Sequence, residues 1–407
     1  MLEFNMKKAF KLAAVCLMVA IAAISAIVIL SFVVKKGKDF VVKNGDGPQL
    51  PSCGNNQVLF THSPVDIEYI TSITPLGNLN PPGHTFPVKH MYINLKNIDS
   101  PTDAEEETPI RTLYAPGDIW IQQISSTEYL DRGEYDYSID FSPCAEFSAY
   151  FIHVTSLSEK LEEAFSNGEG DCWEEDPAGQ RMRSCNRRVH IKLEAGEEIG
   201  TVGGDKFNFD LGASDMRVEP SKAARYDRRF EGIGYVICPL DYFSSDIKEA
   251  LYAKLGDSSS GGQKRTIEPI CGTPHQEFSG TAQGVWYLED STQLDREDQH
   301  IALVHDNIDP KIPVFSIGTS LEKFGIESRT YEFEPESTGL VDRDFADVKA
   351  DGNIYCYEFN ESSGDGVFQV LLQMVTDEEL KIGKGRSTWC GSAPWGFEDY
   401  VMFEKLD

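Results

Sequence analysis

Nine cysteines are spread along this chain of 407 residues, and their spacing limits the chemistry they can do. Cys16 falls in an apolar run near the N-terminus; Cys53, Cys144, Cys172, Cys185, Cys238, Cys271, Cys356 and Cys390 follow it. Those eight are an even number, compatible with four disulfides in an oxidising compartment. Cys172 and Cys185 would close a loop of about 14 residues, a bridge worth about 3 kcal/mol by chain entropy. Two cysteines so placed could instead begin a zinc site, but no second pair with metal spacing sits nearby, so a disulfide is expected. Cys238 with Cys271 and Cys356 with Cys390 are further candidate bridges, although sequence alone does not fix connectivity.

Other reactive groups form weaker patterns. Acidic clusters at residues 103–107, 174–176, 290–298 and 342–347 invite a calcium reading. None has the spacing of an EF-hand loop, so a solvated acidic face is the expectation. There is no Gly-x-Ser-x-Gly elbow to carry Ser-His-Asp chemistry. Gly203-Gly204 and Gly261-Gly262 are turn glycines, because no helix with Lys-Ser/Thr follows them. Asn360-Glu361-Ser362 is a glycosylation sequon that matters only outside the cell. Trp286, Tyr287, Trp389 and Trp395 lie near glycines and prolines; exposed, they would make a carbohydrate platform, and buried, an ordinary core.

The histidines belong to a longer series of motifs. Gly83-His84 precedes His90-Met91-Tyr92-Ile93-Asn94, and Ala115-Pro116-Gly117-Asp118-Ile119 forms a turn. Phe151-Ile152-His153-Val154 reads as a strand; residues 193–200 (LEAGEEIG) and then Lys206-Phe207-Asn208-Phe209-Asp210 complete the order. In this order the motifs, over residues 77–215, resemble the LytM/lysostaphin-like zinc endopeptidases, whose β-fold also serves as a non-catalytic module in cell-envelope proteins. The resemblance covers roughly a third of the chain. It implies a zinc site in which His90 is a retained ligand, while Asn94 stands where the family has aspartate and Asn208 where it has histidine. It also implies that His153 is a retained catalytic histidine whose partner is replaced by Lys206.

These replacements argue against hydrolysis. Catalytic zinc takes three protein ligands and leaves a position for water. Neutral amide oxygens are poor donors beside carboxylate or imidazole, and the Lys206 ammonium would repel a cation. The site therefore reads as vestigial: no metal and no cofactor, with zinc or calcium as the alternative. His84, six residues before His90, and Asp210, beside the lost histidine, are the possible rescue ligands; Asp205 flanks the same position. Otherwise His84 is a loop histidine near Phe86 and Pro87, and His153 a half-buried strand histidine.

The elements that must position these groups are mostly strands. Short alternating runs are expected as strands at 65–73, 90–95, 119–124, 137–141, 149–154, 189–193, 199–202 and 207–211, and a helix at 156–165 capped by Ser158. Residues 167–188 read as an inserted polar loop. From 234 the pattern restarts, with strands at 235–238, 284–288, 301–304, 314–317, 330–333, 353–359, 367–375 and 400–404 and a helix at 245–255. The fold class is mainly β: a LytM-like β-sandwich or barrel module over 57–233, then an antiparallel β-rich domain over 234–407.

Ahead of these, residues 12–34 carry no charge and span about 34 Å as helix, enough to cross a bilayer. Residues 1–38 are read as cytoplasmic tail and anchor and 39–56 as a linker. Six Lys and one Glu give residues 1–38 a charge of +5, so the rest carries −34 of the net −29. A surface of that sign repels nucleic acid. The expectation is a single-pass membrane protein whose extracellular part, non-catalytic, binds an envelope polymer or a surface protein. Two alternatives stand beside it: a divergent metallohydrolase, and a small-ligand carrier built on the C-terminal domain.

Overall fold

Where apolar and polar residues alternate, a strand buries one face and exposes the other, and the chain is built on that pattern. A computed structural model describes residues 49–95, 108–175, 181–204, 206–221, 232–257, 262–291, 296–360 and 367–405. The expected anchor at 12–34, the acidic cluster at 103–107, Asp205 and the sequon residues Glu361 and Ser362 lie outside them. Among the described residues no helix is long and apolar enough to cross a membrane.

The protein is mainly β and its sheets are antiparallel. In chain order the first strands are β1 (Ile70–Thr74), β2 (His90–Leu95), β3 (Thr108–Tyr114), β4 (Ile119–Tyr129), β5 (Glu134–Cys144), β6 (Phe147–Val154), β7 (Ser156–Leu157), β8 (Cys172–Glu175), β9 (Met182–Leu193), β10 (Glu198–Gly204) and β11 (Asn208–Asp215). One eight-stranded sheet runs β1-β2-β11-β6-β5-β4-β9-β8, and a three-stranded sheet runs β3-β10-β7. The second eight-stranded sheet uses β12 (Gly284–Leu288), β13 (Ile301–His305), β14 (Pro313–Ile317), β15 (Arg329–Glu332), β16 (Tyr355–Asn360), β17 (Val367–Met374), β18 (Glu379–Gly385) and β19 (Phe397–Glu404). Its order is β15-β14-β13-β12-β19-β18-β17-β16.

Two helices accompany the first sheet. α1 (Glu159–Asn167) buries Leu161 and has Ser158 at its N-cap position, but the Ser158 side chain makes no capping bond. α2 (Ser245–Tyr252) and the residues after it pack with the first core, which includes Leu240, Phe243, Leu251 and Leu255. Residues on the far side of 234 therefore complete the first core, and residues 50–407 form one compact unit. The stretch read as an inserted loop is largely strand, with Cys172 directly opposite Cys185 in the β8–β9 pairing. Residues 235–238, expected as a strand, begin in a 3-10 turn and pair with the sheet at the isolated bridge of Val236 with Ser214.

The eight cysteines after the N-terminal run form four disulfides: Cys53–Cys144, Cys172–Cys185, Cys238–Cys271 and Cys356–Cys390. Cys53, inside the expected linker, is thus tied to the end of β5. The second core is dense with aromatics. Phe315 meets Phe345, Tyr357 and Phe359 edge-on at 4.8, 4.9 and 5.3 Å.

Candidate functional site

The polar face of the first sheet carries the site. On β2, Met91, Ile93 and Leu95 point into the core, so His90, Tyr92 and Asn94 share the opposite face. On β11, Phe209, Leu211 and Ala213 are core residues, which leaves Asn208, Asp210 and Gly212 beside them. Register then fixes the neighbours: Gly212 lies opposite His90, Asp210 opposite Tyr92, and Asn208 opposite Asn94.

His153 joins this face through a break in alternation. Phe151 and Val154 of β6 are both buried in the core, and the pairing with β5 shifts register between them. His153 takes a left-handed backbone, φ 65°, at that irregularity. A regular strand would aim residue 153 to the same side as Phe151; the irregularity turns the imidazole toward Asp210 instead.

Seven side chains meet there. His90 Nε2 lies 3.3 Å from Asp210 Oδ2, and His153 Nε2 lies 3.8 Å from the same oxygen. His153 Nδ1 donates to Asp136 Oδ2 at 2.8 Å, and Lys206 Nζ is 3.7 Å from that carboxylate oxygen. His84 stacks edge-on to His90 with ring centres 5.6 Å apart. Tyr150 places its hydroxyl 3.5 Å from His90 Nδ1.

Burial sets the charges. Desolvation, helped by His84, Lys89 and His153, pushes His90 down to about 3. Desolvation raises Asp210 to about 7, with Asp136 adding to the rise and His153 opposing it. Their 3.3 Å contact has the distance of an ion pair, but burial disfavours charge on both partners. At neutral pH it is therefore better described as a neutral imidazole beside a carboxyl whose ionisation burial opposes. For His153, burial pulls downward, but the hydrogen bond and charge of Asp136, with Asp210 behind them, hold it above its ordinary value. Asp140, on the same face of β5, is raised to about 6 by burial.

The structure thus gathers His84, His90, His153 and Asp210, and brings Lys206 in through Asp136. Asn94 and Asn208 go elsewhere. Asn94 Nδ2 donates to Ser72 Oγ and Thr74 Oγ1, both at 3.1 Å, and Asn208 Nδ2 reaches Asn94 Oδ1 at 3.4 Å. Four residues of strand separate Asn94 from His90, about 13 Å, so these amides do not stand around the imidazole. Asp136, Asp140 and Tyr150 escaped the motif reading. The alternation of Tyr137, Ile139 and Phe141 into the core already assigns Asp136 and Asp140 to the opposite face of β5.

Among the described residues, the His and Asp side chains gathered here do not bring three ligand atoms within 4.8 Å of one another. Among the described residues, only Cys53, Cys144 and Glu146 bring three such atoms within 4.8 Å of one another, and there both sulfurs are used in a disulfide. Of the acidic clusters read for calcium, the one at 342–347 is paired within the protein: Asp344 with His305 at 3.1 Å and Asp347 with Arg343 at 2.7 Å. Glu174, in another, pairs with Arg183 at 2.7 Å.

Gly212 makes room for the site. A Cβ built there would stand 2.2 Å from Tyr150 Cζ and 2.4 Å from its hydroxyl oxygen. Gly212→Ala is therefore expected to push the Tyr150 ring off β11 and to cost roughly 1–3 kcal/mol of stability. Urea denaturation tests this; an unchanged midpoint would show that the ring moves freely.

No known family's sequence profile matches this chain, and no curated protein or solved structure matches it either.

Proposed function

We propose that this is a membrane-anchored, extracellular, non-catalytic binding protein of the cell envelope, built on a LytM-peptidase-like module that has lost its zinc site. The observation that carries the reading is the mutual pairing of the site's polar groups. His153 is spent on Asp136 and Asp210, Asp136 also faces Lys206, and His90 is buried against Asp210. A hydrolytic centre needs donors converging on one ion with a position left for water; these donors converge on one another. Four disulfides support an oxidising location, the uncharged run at 12–34 supports the anchor, and the strong negative charge argues against nucleic acid as a partner.

A divergent zinc metallohydrolase is the second reading. It is favoured by the placement of Asp210 Oδ2 between two imidazole nitrogens, and by His90 Nε2 and Asp210 Oδ1, which are buried with no hydrogen-bond partner among the described residues. The carrier alternative draws no support from the second core, whose interior is filled by aromatic rings. Elemental analysis of the purified full-length protein separates the first two. The expected result is zinc well below one ion per chain and unaffected by His90→Ala. One ion per chain, lost in both His90→Ala and Asp210→Asn, would replace the binding reading with the metallohydrolase.

A further inference from the structure

The connection from β18 to β19 forms a cleft of about 510 Å³, within the usual range for small-molecule sites. Trp389, Trp395 and Phe397 line it together with Arg386 and Gln369. Four bonds hold the cleft in shape. Cys390 in the loop is bonded to Cys356 of β16, and its backbone N–H donates to the Glu358 carboxylate. Trp395 Nε1 donates to the Cys390 carbonyl. Gln369 Nε2, from β17, donates to the Trp389 carbonyl at 3.1 Å.

Within this frame the Trp389 ring and the Gln369 side-chain oxygen have no partner among the described residues. Trp389 is 61% exposed, an unusual position for the largest apolar side chain. Gly391, beside it at φ 53°, keeps the flank of the ring clear: a Cβ there would come within 3.2 Å of the indole. Gln369 is 1% exposed, yet its Oε1 has no hydrogen-bond partner among the described residues. A buried acceptor left unpaired costs free energy that a ligand donor would recover. A Cβ at Gly385 would come within 2.2 Å of this oxygen, so glycine there is what leaves it room.

From these groups we infer that the cleft between β18 and β19 binds a saccharide, with a sugar ring stacked on Trp389 and a ring hydroxyl donating to Gln369 Oε1. Each group narrows the chemistry. An open indole face accepts the apolar C–H face of a sugar or another flat ligand. Arg386 makes no ion pair among the described residues and disfavours a cationic guest such as a quaternary ammonium. The lone amide acceptor disfavours a purely anionic one, because it needs a donor. A polyhydroxylated ring satisfies all three, and an acidic sugar would add a carboxylate for Arg386. This inference rests on the binding reading above and gives it a ligand class.

Titration of the full-length protein with tetrasaccharides of chitin, cellulose, starch and polygalacturonate, read by tryptophan fluorescence and calorimetry, tests it. At least one of them is expected to bind with a Kd of roughly 10 μM to 1 mM, and Trp389→Ala is expected to weaken it tenfold or more. Trp389→Phe should keep part of the affinity, and Gln369→Glu should weaken binding by placing a charge in the buried acceptor position. Trp389 is exposed, so its variants are expected to fold with all four disulfides. Binding by none of the four, or binding that Trp389→Ala leaves unchanged, overturns the inference. Cleavage of a bound saccharide would instead sink the non-catalytic reading and leave the cleft's ligand class standing.

Discussion

Replacing Cys53 and Cys144 together by alanine is expected to lower the unfolding free energy by about 4.6 kcal/mol, more than loss of any other bridge. This disulfide spans 91 residues, against 13, 33 and 34 for the others. The chain entropy it removes from the unfolded state grows with the logarithm of that span. The difference from Cys172–Cys185 comes to roughly 2 kcal/mol. Both sulfurs are also buried, so alanines would leave space in the core. Around the bridge, the Cys53 backbone N–H donates to Glu146 Oε2 at 2.7 Å, and the Ser52 hydroxyl to Glu146 Oε1 at 2.8 Å. Urea denaturation of the two double-alanine variants, Cys53/Cys144 and Cys172/Cys185, checks the ranking. Equal losses, or a larger one for Cys172/Cys185, would mean that chain entropy does not govern these bridges.

Asp210→Asn is expected to change how stability depends on pH. The folded carboxyl titrates near 7 and the unfolded one near its ordinary 3.8. Its folded value is raised, so the group is neutral in both states below the unfolded value and contributes no penalty there. As pH climbs from about 4 to about 7 the unfolded state sheds its proton first, and stability falls. Three pH units correspond to about 4 kcal/mol in the limit, with the attraction of His153 already contained in the folded value. Asparagine removes that slope. His90 acts in the opposite direction: its folded value near 3 makes stability fall as pH drops below 6.5, because the unfolded imidazole takes up the proton first. His153, held above its ordinary value, adds stability below 6.5 that disappears as pH rises through its folded value. The variant should therefore gain on the parent between pH 5 and pH 8 by on the order of 2–4 kcal/mol. Parallel denaturation curves at the two pH values, with an unchanged difference between the proteins, would rule this out.

Much of the first sheet was legible because its strands alternate cleanly. The span expected at 90–95 is β2 itself, and the three pairings suggested for cysteines after residue 170 all form. The strand Glu379–Gly385 was missed because two glycines and two lysines dilute its apolar face. Asp210 was reachable from sequence, since it shares a strand face with Asn208. What no local pattern reveals is that Asp210, and not the amides, meets His90. That follows from the β2–β11 register, which sets Gly212 against His90 and moves Asn94 and Asn208 along the sheet. The turning of His153 toward Asp210 was hidden for a related reason, because a strand irregularity depends on how two strands pair.

The bond from Cys53 to Cys144 also decides how tension would travel through the molecule. Force applied to the chain ahead of residue 53 passes through sulfur to the end of β5, a strand hydrogen-bonded on both sides by β4 and β6. The 90 or so residues bracketed by that bond are shielded from the load. Stretching would have to draw on an interior strand of an eight-stranded sheet before it could unravel the segment that carries His90. While that covalent shortcut is intact, the segment that carries His90 and Asp136 is spared any pull on the chain ahead of it.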